Sequence, residues 1–124
     1  MRAIKLVTNT IDIPFVDEND KVIYTLSFDR TDENTKKLRK AMKELRGKIE
    51  EFDDMEETEE NEEKAVLFLK ETADSLLGEG SFDKMYKVNP FVYAVARYLY
   101  QAMIIIKEET EEEDLKAVES KYLG

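Results

Sequence analysis

Cysteine and histidine are both absent from this 124-residue sequence. Without them the chain forms no disulfide, offers no thiolate nucleophile and has no imidazole to serve as a metal ligand or a general base. Many enzymes and metalloproteins depend on these groups. We therefore expect a protein that is not an enzyme and that binds no metal or cofactor.

Basic residues are also scarce, since 19 Lys and Arg stand against 29 Asp and Glu, a net charge of −10. Affinity for nucleic acid comes from basic side chains that displace counterions from phosphates, so nucleic acid is not an expected partner. The N-terminus lacks the apolar core of a signal peptide. The most apolar stretch, residues 90–106, contains Arg97 and is shorter than the about 20 residues that span a bilayer. We expect a cytoplasmic protein with no membrane segment.

Two short runs near the N-terminus alternate between apolar and polar residues. They cover residues 11–15 and 22–28. A period of two is typical of a half-buried strand, and the Asp- and Asn-rich residues between the runs favour a turn. The pattern predicts an antiparallel β-hairpin, with Ile4 and Leu6 either extending its first strand or forming a third.

After the hairpin the apolar spacing changes from two to three or four, which is typical of helices. We predict an α+β, mainly helical fold in a single domain over residues 1–124, with the hairpin in 1–30 and three to five helices in 31–124. Because like charges repel along a helix, a stretch of acids without bases predicts a link between helices near 54–60. The helix over 90–106 is predicted to be the most buried.

One amphipathic stripe is a candidate binding surface. Apolar residues recur there at intervals of four and three in an otherwise charged segment, with lysines beside them. Such a stripe either packs inside the domain or accepts a helix of a partner. The candidate partner-binding residues are Leu38, Met42, Leu45, Ile49, Lys37, Lys40 and Lys48.

A second feature is the segment ADSLLGEGSFDKMYKVNP, residues 73–90. Glycine adopts a positive φ without steric cost, so Gly78 and Gly80 are predicted to end one helix and to shape a sharp turn. Phe82 and Tyr86 are expected to be buried against the next helix. That helix is predicted to begin with Asn as its N-cap and Pro at its first position.

Arg97 is the single charge in the apolar stretch that follows. A buried guanidinium needs a partner, so we expect a structural salt bridge to Asp74, Glu79 or Asp83. The predicted structural residues of this part of the chain are Gly78, Gly80, Phe82, Asp83, Tyr86 and Arg97.

Residues 73–90 resemble the signature of tail assembly chaperones of long-tailed, siphovirus-type phages and prophages of Gram-positive bacteria. In that family a helix ends in the phrase Asp-x-Leu-Phe-Gly-Glu-Gly-x-Phe-Asp-x-hydrophobic-Tyr. The present sequence matches it from Asp74 to Tyr86, with Leu77 where Phe is more usual. The wider layout, a β-rich start followed by charged helices, is similar too.

The resemblance implies a non-enzymatic protein that binds the phage tape-measure protein and keeps it soluble until the tail tube assembles. It makes the tape-measure protein the expected partner, with the tail-tube protein and a homo-oligomer as further candidates. Two alternatives stay open. One is a structural virion protein, such as a minor tail or connector component, and the other is an acidic protein-interaction module that mimics nucleic acid.

Overall fold

A computed structural model describes residues 2–54 and 58–123, without the side chains of residues 53 and 112–123. Within these residues two strands precede four helices. The elements are β1 Thr10–Val16, β2 Val22–Asp29, α1 Asp32–Asp54, α2 Glu59–Leu77, α3 Ser81–Val88 and α4 Val92–Leu123. The predicted α+β, mainly helical fold with an N-terminal hairpin is confirmed. The predicted link between helices follows Asp54, and its residues 55–57 lie outside the described part of the chain.

The hairpin is a two-stranded antiparallel sheet with one apolar face. Ile11 pairs with Phe28 and Ile13 pairs with Leu26, and all four side chains are buried. The carboxylate of Asp17 accepts two backbone hydrogen bonds in the turn, at 2.8 and 3.0 Å. The alternation in the sequence therefore predicted the face that the hairpin turns towards the helices.

Residues 2–9, which we call the arm, precede β1 and are not part of the sheet. The prediction that Ile4 and Leu6 extend β1 or form a third strand is wrong, because these side chains are 90% and 92% exposed. The Arg30 N–H donates to the Asn9 carbonyl at 3.0 Å, one residue beyond β1. After Arg30 the segment that follows β2 enters α1, so no described strand lies beside the arm.

The core is centred on the first half of α4, which contacts α1, α2, α3 and β1. Four of its side chains, Val95, Leu99, Met103 and Ile106, are at most 1% exposed. This agrees with the expectation that the apolar stretch forms the most buried helix. α4 then continues to Leu123, so the acidic C-terminal segment extends the helix and does not fold back.

Local signals set the ends of α2. The Asn61 N–H donates to the Thr58 hydroxyl at 3.2 Å, which caps the first turn. At the other end Gly78 has φ 101° and Gly80 has φ 90°. Residues with a side chain rarely adopt such φ angles, so both glycines have the role predicted for them. The Ser81 hydroxyl donates to the Gly78 carbonyl at 2.6 Å and tightens the turn.

The junction between α3 and α4 differs from the prediction. Asn89 follows the end of α3, where its N–H bonds to the Met85 carbonyl, and α4 begins only at Val92. The Asn89 side-chain amide donates to the Tyr98 hydroxyl at 3.0 Å. Asn89 is therefore not the N-cap of α4; it ends the preceding helix and ties it to α4.

Candidate partner-binding surfaces

The stripe on α1 that was a candidate partner surface belongs largely to the core. Leu38 and Leu45 are 2% and 0% exposed, and Met42 and Ile49 are partly buried against the same cluster. A side chain without solvent-accessible surface contacts no partner unless the domain opens. The assignment of Leu38 and Leu45 as partner contacts is therefore wrong, and the alternative, packing inside the domain, describes them.

The three lysines beside that stripe lie along α1 with acidic neighbours. Lys37 pairs with Glu33 at 3.8 Å, and Lys48 pairs with Glu51 at 3.3 Å. Lys37 and Lys40 border a shallow groove between α1 and α2. Exposed ion pairs within one helix contribute only about 0.3–0.5 kcal/mol. The lysines therefore remain available to solvent, although the apolar residues beside them do not.

Phe82 and Tyr86 in the 73–90 segment have different environments. Phe82 is 2% exposed, and its N–H donates to the Asp74 carboxylate at 3.1 Å, which joins α3 to α2. Tyr86 stacks on Phe82 with ring centroids 5.4 Å apart, yet it is 36% exposed. The prediction that Tyr86 is buried is wrong, because α3 is a full two-turn helix that carries this ring to the margin of the core.

Arg97 is more exposed than expected, and Asp83 has a partner on α2. Asp83 pairs with Lys70 of α2 at 3.5 Å, and Asp74 accepts the hydrogen bond from Phe82. Arg97 lies on the exposed side of α4. An exposed guanidinium does not need a buried counter-ion, so the physical reason for expecting a structural salt bridge does not apply. Asp83 and Asp74 each take part in a contact between α3 and α2.

A first exposed apolar surface, which we call the hairpin groove, lies at the turn end of the hairpin. It runs between the strands, the end of α3 and the middle of α4, and has a volume of about 310 Å³. Its aliphatic side chains that are between 41% and 58% exposed are Val16, Ile23, Val88 and Ile105. Its wall is completed by Ile13, Pro14, Phe15, Tyr24, Met85, Tyr98, Gln101 and Ala102, so no lining residue is charged.

Two tyrosines and Gln101 give the hairpin groove its polar side chains. Tyr24 stacks on Phe15 with ring centroids 4.8 Å apart. Burial raises the pKa of Tyr24 to about 12, and the nearby Tyr98 adds to this rise. The phenol of Tyr24 is therefore neutral at physiological pH. The groove offers apolar contacts, neutral hydroxyls and the side-chain amide of Gln101 to a ligand or partner.

A second exposed apolar surface, which we call the acidic groove, lies between the start of α2, α3 and the start of α4. Its volume is about 580 Å³. Leu67 and Phe91 are its most exposed apolar side chains, at 68% and 52%. The other lining residues are the apolar or aromatic Val66, Tyr86, Pro90 and Val92 and the acidic Glu59, Glu62 and Glu63.

The amphipathic pattern that marked the α1 stripe predicts neither groove. The sequence does contain one signal for the acidic groove. Residues 65–69, AVLFL, are five consecutive apolar residues on a helix. A helix turns by about 100° per residue, so such a run cannot face the core at every position. Leu67 is the residue that points away. An apolar residue out of phase with the core stripe is thus a sequence signal for an exposed contact.

Comparison with protein-family models, with curated proteins and with solved structures finds no match for this chain. In the part of the chain that the structure describes, no group of three or more acidic residues is placed to hold a metal ion. No helix among the described residues is long and apolar enough to cross a membrane. The two grooves and the 73–90 segment are the candidate functional features of this chain.

Proposed function

We propose that this chain is a tail assembly chaperone of a long-tailed phage or prophage. It is a non-enzymatic protein that binds the tape-measure protein and keeps it in solution until the tail assembles. The observation that carries the proposal is the 73–90 segment, which resembles the signature of this family. Two of its residues, Tyr86 and Pro90, line the acidic groove. The family-like segment thus contributes directly to an exposed apolar surface.

The acidic groove is the site proposed for the partner, in place of the α1 stripe. Its apolar floor suits the apolar face of an amphipathic helix, which is a common mode of peptide recognition. Glu59, Glu62 and Glu63 complement Lys or Arg beside that face, and charge complementarity of this kind sets orientation and speeds association. The predicted partner segment is therefore a helix of the tape-measure protein with basic residues flanking an apolar stripe.

The net charge of −10 supports the same role. A strongly charged surface keeps protein molecules apart. A chaperone that covers apolar helices needs such a surface on its outer side, because the complex otherwise exposes enough apolar area to aggregate. The acidic surface of this chain therefore suits a protein that keeps an apolar partner in solution.

Co-expression with the tape-measure protein of the same phage or prophage tests the proposal. The tape-measure protein is expected in the soluble fraction with the wild-type chain and in aggregates without it. Phe91→Lys places a cation in the acidic groove and is expected to abolish the rescue. The matched control is Val22→Lys, because Val22 is 53% exposed and lines neither groove. Failure of the wild-type chain to keep the partner soluble would contradict the function, whereas rescue by Phe91→Lys would contradict the site.

The composition of purified phage particles separates this proposal from a structural virion protein. A chaperone leaves before the particle is complete, so mass spectrometry of finished particles is expected to find this chain absent or far below the amount of the tail proteins. A stoichiometric amount in finished particles would contradict the chaperone proposal and favour a minor tail or connector component.

A further inference from the structure

The arm is an exposed apolar segment that the fold does not use. Ile4, Leu6 and Val7 are 90%, 92% and 83% exposed. Single exposed apolar residues are common, but several of them close together on one segment mark an interaction site. The proposed chaperone function assigns the partner to the acidic groove and gives the arm no role.

The arm offers side chains that suit the hairpin groove in size and polarity. In an extended chain, residues two apart point to the same side at a separation of about 7 Å, so Ile4 and Leu6 form a pair of adjacent apolar side chains. The hairpin groove is apolar, uncharged and about 310 Å³ in volume. This volume is at the lower end of the range for small-molecule sites, roughly 300–1,000 Å³. Two aliphatic side chains are small enough to fit in it.

Charge complements this match. The arm carries Arg2 and Lys5 and no acid, in a chain that is acidic as a whole. The hairpin turn beside the groove, residues 17–21 with the sequence DENDK, carries three acids and one base and is therefore acidic on balance. Opposite charges on two surfaces steer their encounter and oppose wrong orientations. The basic arm is therefore attracted to the end of the hairpin where the groove lies.

The chain path indicates that the arm and the groove come from different molecules. The arm joins β1 at Thr10, whereas the groove lies near Val16 and Ile23, at the other end of the hairpin. β1 has seven residues, which corresponds to about 20 Å of extended chain. An arm that filled its own groove would have to reverse direction and run back along its own strand. A second copy meets no such constraint.

We infer that two copies of this chain associate by exchanging arms, with Ile4 and Leu6 of each copy seated in the hairpin groove of the other. Two reciprocal contacts of this kind give a closed, two-fold symmetric dimer, the commonest arrangement of soluble oligomers. The inference does not depend on the chaperone proposal, because the hairpin groove and the acidic groove have no lining residue in common.

A mixing experiment tests the exchange through the molar mass measured by light scattering. The arm variant carries Ile4→Lys and Leu6→Lys, and the groove variant carries Ile23→Lys and Ile105→Lys. The wild-type chain is expected at twice the monomer mass of 14.5 kDa, and each variant alone at the monomer mass. An equimolar mixture of the two variants is expected to form a heterodimer, because one intact arm meets one intact groove. Leu67→Lys, which lies outside the arm and the hairpin groove, is the control that keeps the wild-type mass.

Other outcomes of the mixing experiment overturn the inference. A wild-type chain that stays monomeric at high micromolar concentration excludes the dimer. A groove variant that dimerises alone shows that arms pair with arms or that another surface is used. Variants that stay monomeric when mixed show that arm and groove do not bind each other.

Cross-linking gives a positional test, because the chain has no cysteine of its own. A disulfide requires Cα atoms within about 7 Å. Under mild oxidation, a mixture of Leu6→Cys and Ile105→Cys chains is expected to give a covalent heterodimer. A mixture of Leu6→Cys and Leu67→Cys chains is the control and is expected to give none. Absence of the first product, or equal yields of both, would contradict the placement of the arm.

Discussion

The arm and β1 are neighbours in the chain and share the same alternation of apolar residues, yet their environments are opposite. Ile11 and Ile13 of β1 are 5% and 4% exposed, whereas Ile4 and Leu6 of the arm are 90% and 92% exposed. β1 is paired with β2 and contacts α4, but no described strand lies opposite the arm. Periodicity thus predicts which residues share a face, and the topology decides whether that face is covered.

The largest expected effect concerns the same contrast on helices, between Leu45 and Leu67. Leu45 is fully buried and Leu67 is 68% exposed. Leu45→Asp buries an unpaired carboxylate, which costs several kcal/mol, a large part of the roughly 5–15 kcal/mol that stabilises a domain. We expect this variant to be unfolded at room temperature. Leu67→Asp is expected to stay within about 1 kcal/mol of wild type, since it adds only like-charge repulsion on the helix surface.

Circular dichroism melts of the two variants check this contrast. A cooperative melt of Leu45→Asp near the wild-type temperature would mean that Leu45 is not in the core. A large loss of stability in Leu67→Asp would mean that Leu67 is covered by part of the chain.

The next largest effect compares two aromatic residues one helical turn apart in α3. Phe82 is 2% exposed, and Tyr86 is 36% exposed. Phe82→Ala is expected to cost about 3 kcal/mol or more, as truncations of buried Phe do. Tyr86→Ala loses mainly the ring stacking, worth about 0.5–1.5 kcal/mol. Urea unfolding measures both. Equal losses would show that the rings are equally buried, and no loss in Phe82→Ala would make the motif a surface feature.

Two glycines are expected to show smaller effects, and replacing each by Ala changes the stability in opposite directions. Gly80 has φ 90°, whereas Gly47 lies within α1 and has no atom within 4 Å of an added Cβ. Gly80→Ala is expected to destabilise by about 1–2 kcal/mol through the left-handed backbone. Gly47→Ala is expected to stabilise by roughly 1 kcal/mol through helix propensity. Thermal melts in which both variants shift in the same direction would contradict the assigned backbone conformations.

The smallest effect concerns Tyr24, which borders the hairpin groove. Its pKa rises to about 12 in the folded chain because of burial, against about 10 in the unfolded chain. The folded state therefore binds this proton more tightly than the unfolded state. The contribution of the protonated phenol to the free energy of unfolding is fully present below pH 10 and is lost between pH 10 and about 12. Tyr24→Phe has no phenol to titrate, so its stability does not change in this way. The stability of wild type relative to Tyr24→Phe is expected to fall as the pH rises from 10 towards 12 in urea unfolding. A constant difference would contradict the burial of the phenol.

The sequence allowed the elements with strong local signals to be predicted. The hairpin followed from alternation, and the end of α2 followed from Gly78. These signals depend on the backbone requirements of a few adjacent residues, which hold in almost any tertiary context. The same applies to the central position of the apolar helix over 90–106, because no other segment of the chain is as apolar.

The features that the sequence did not predict depend on contacts between residues that are far apart in the sequence. The α1 stripe has the same pattern whether it meets α4 or a partner, so Leu45 alone could not decide between the two. Tyr86 looked like a core residue because Phe82, one turn earlier, is one. The hairpin groove joins side chains as far apart in sequence as Ile23 and Ile105. No local pattern predicts such a meeting.

The contrast between the arm and β1 rests on one claim, that apolar residues of β1 build the domain while those of the arm build the dimer. Urea unfolding of wild type and of the arm variant with Ile4→Lys and Leu6→Lys, each at two protein concentrations, tests it directly. Dimerisation stabilises the folded state by mass action. The wild-type midpoint is therefore expected to rise with concentration, while the arm-variant midpoint stays constant and equals that of dilute wild type. A wild-type midpoint independent of concentration, or an arm variant less stable than dilute wild type, would contradict the claim.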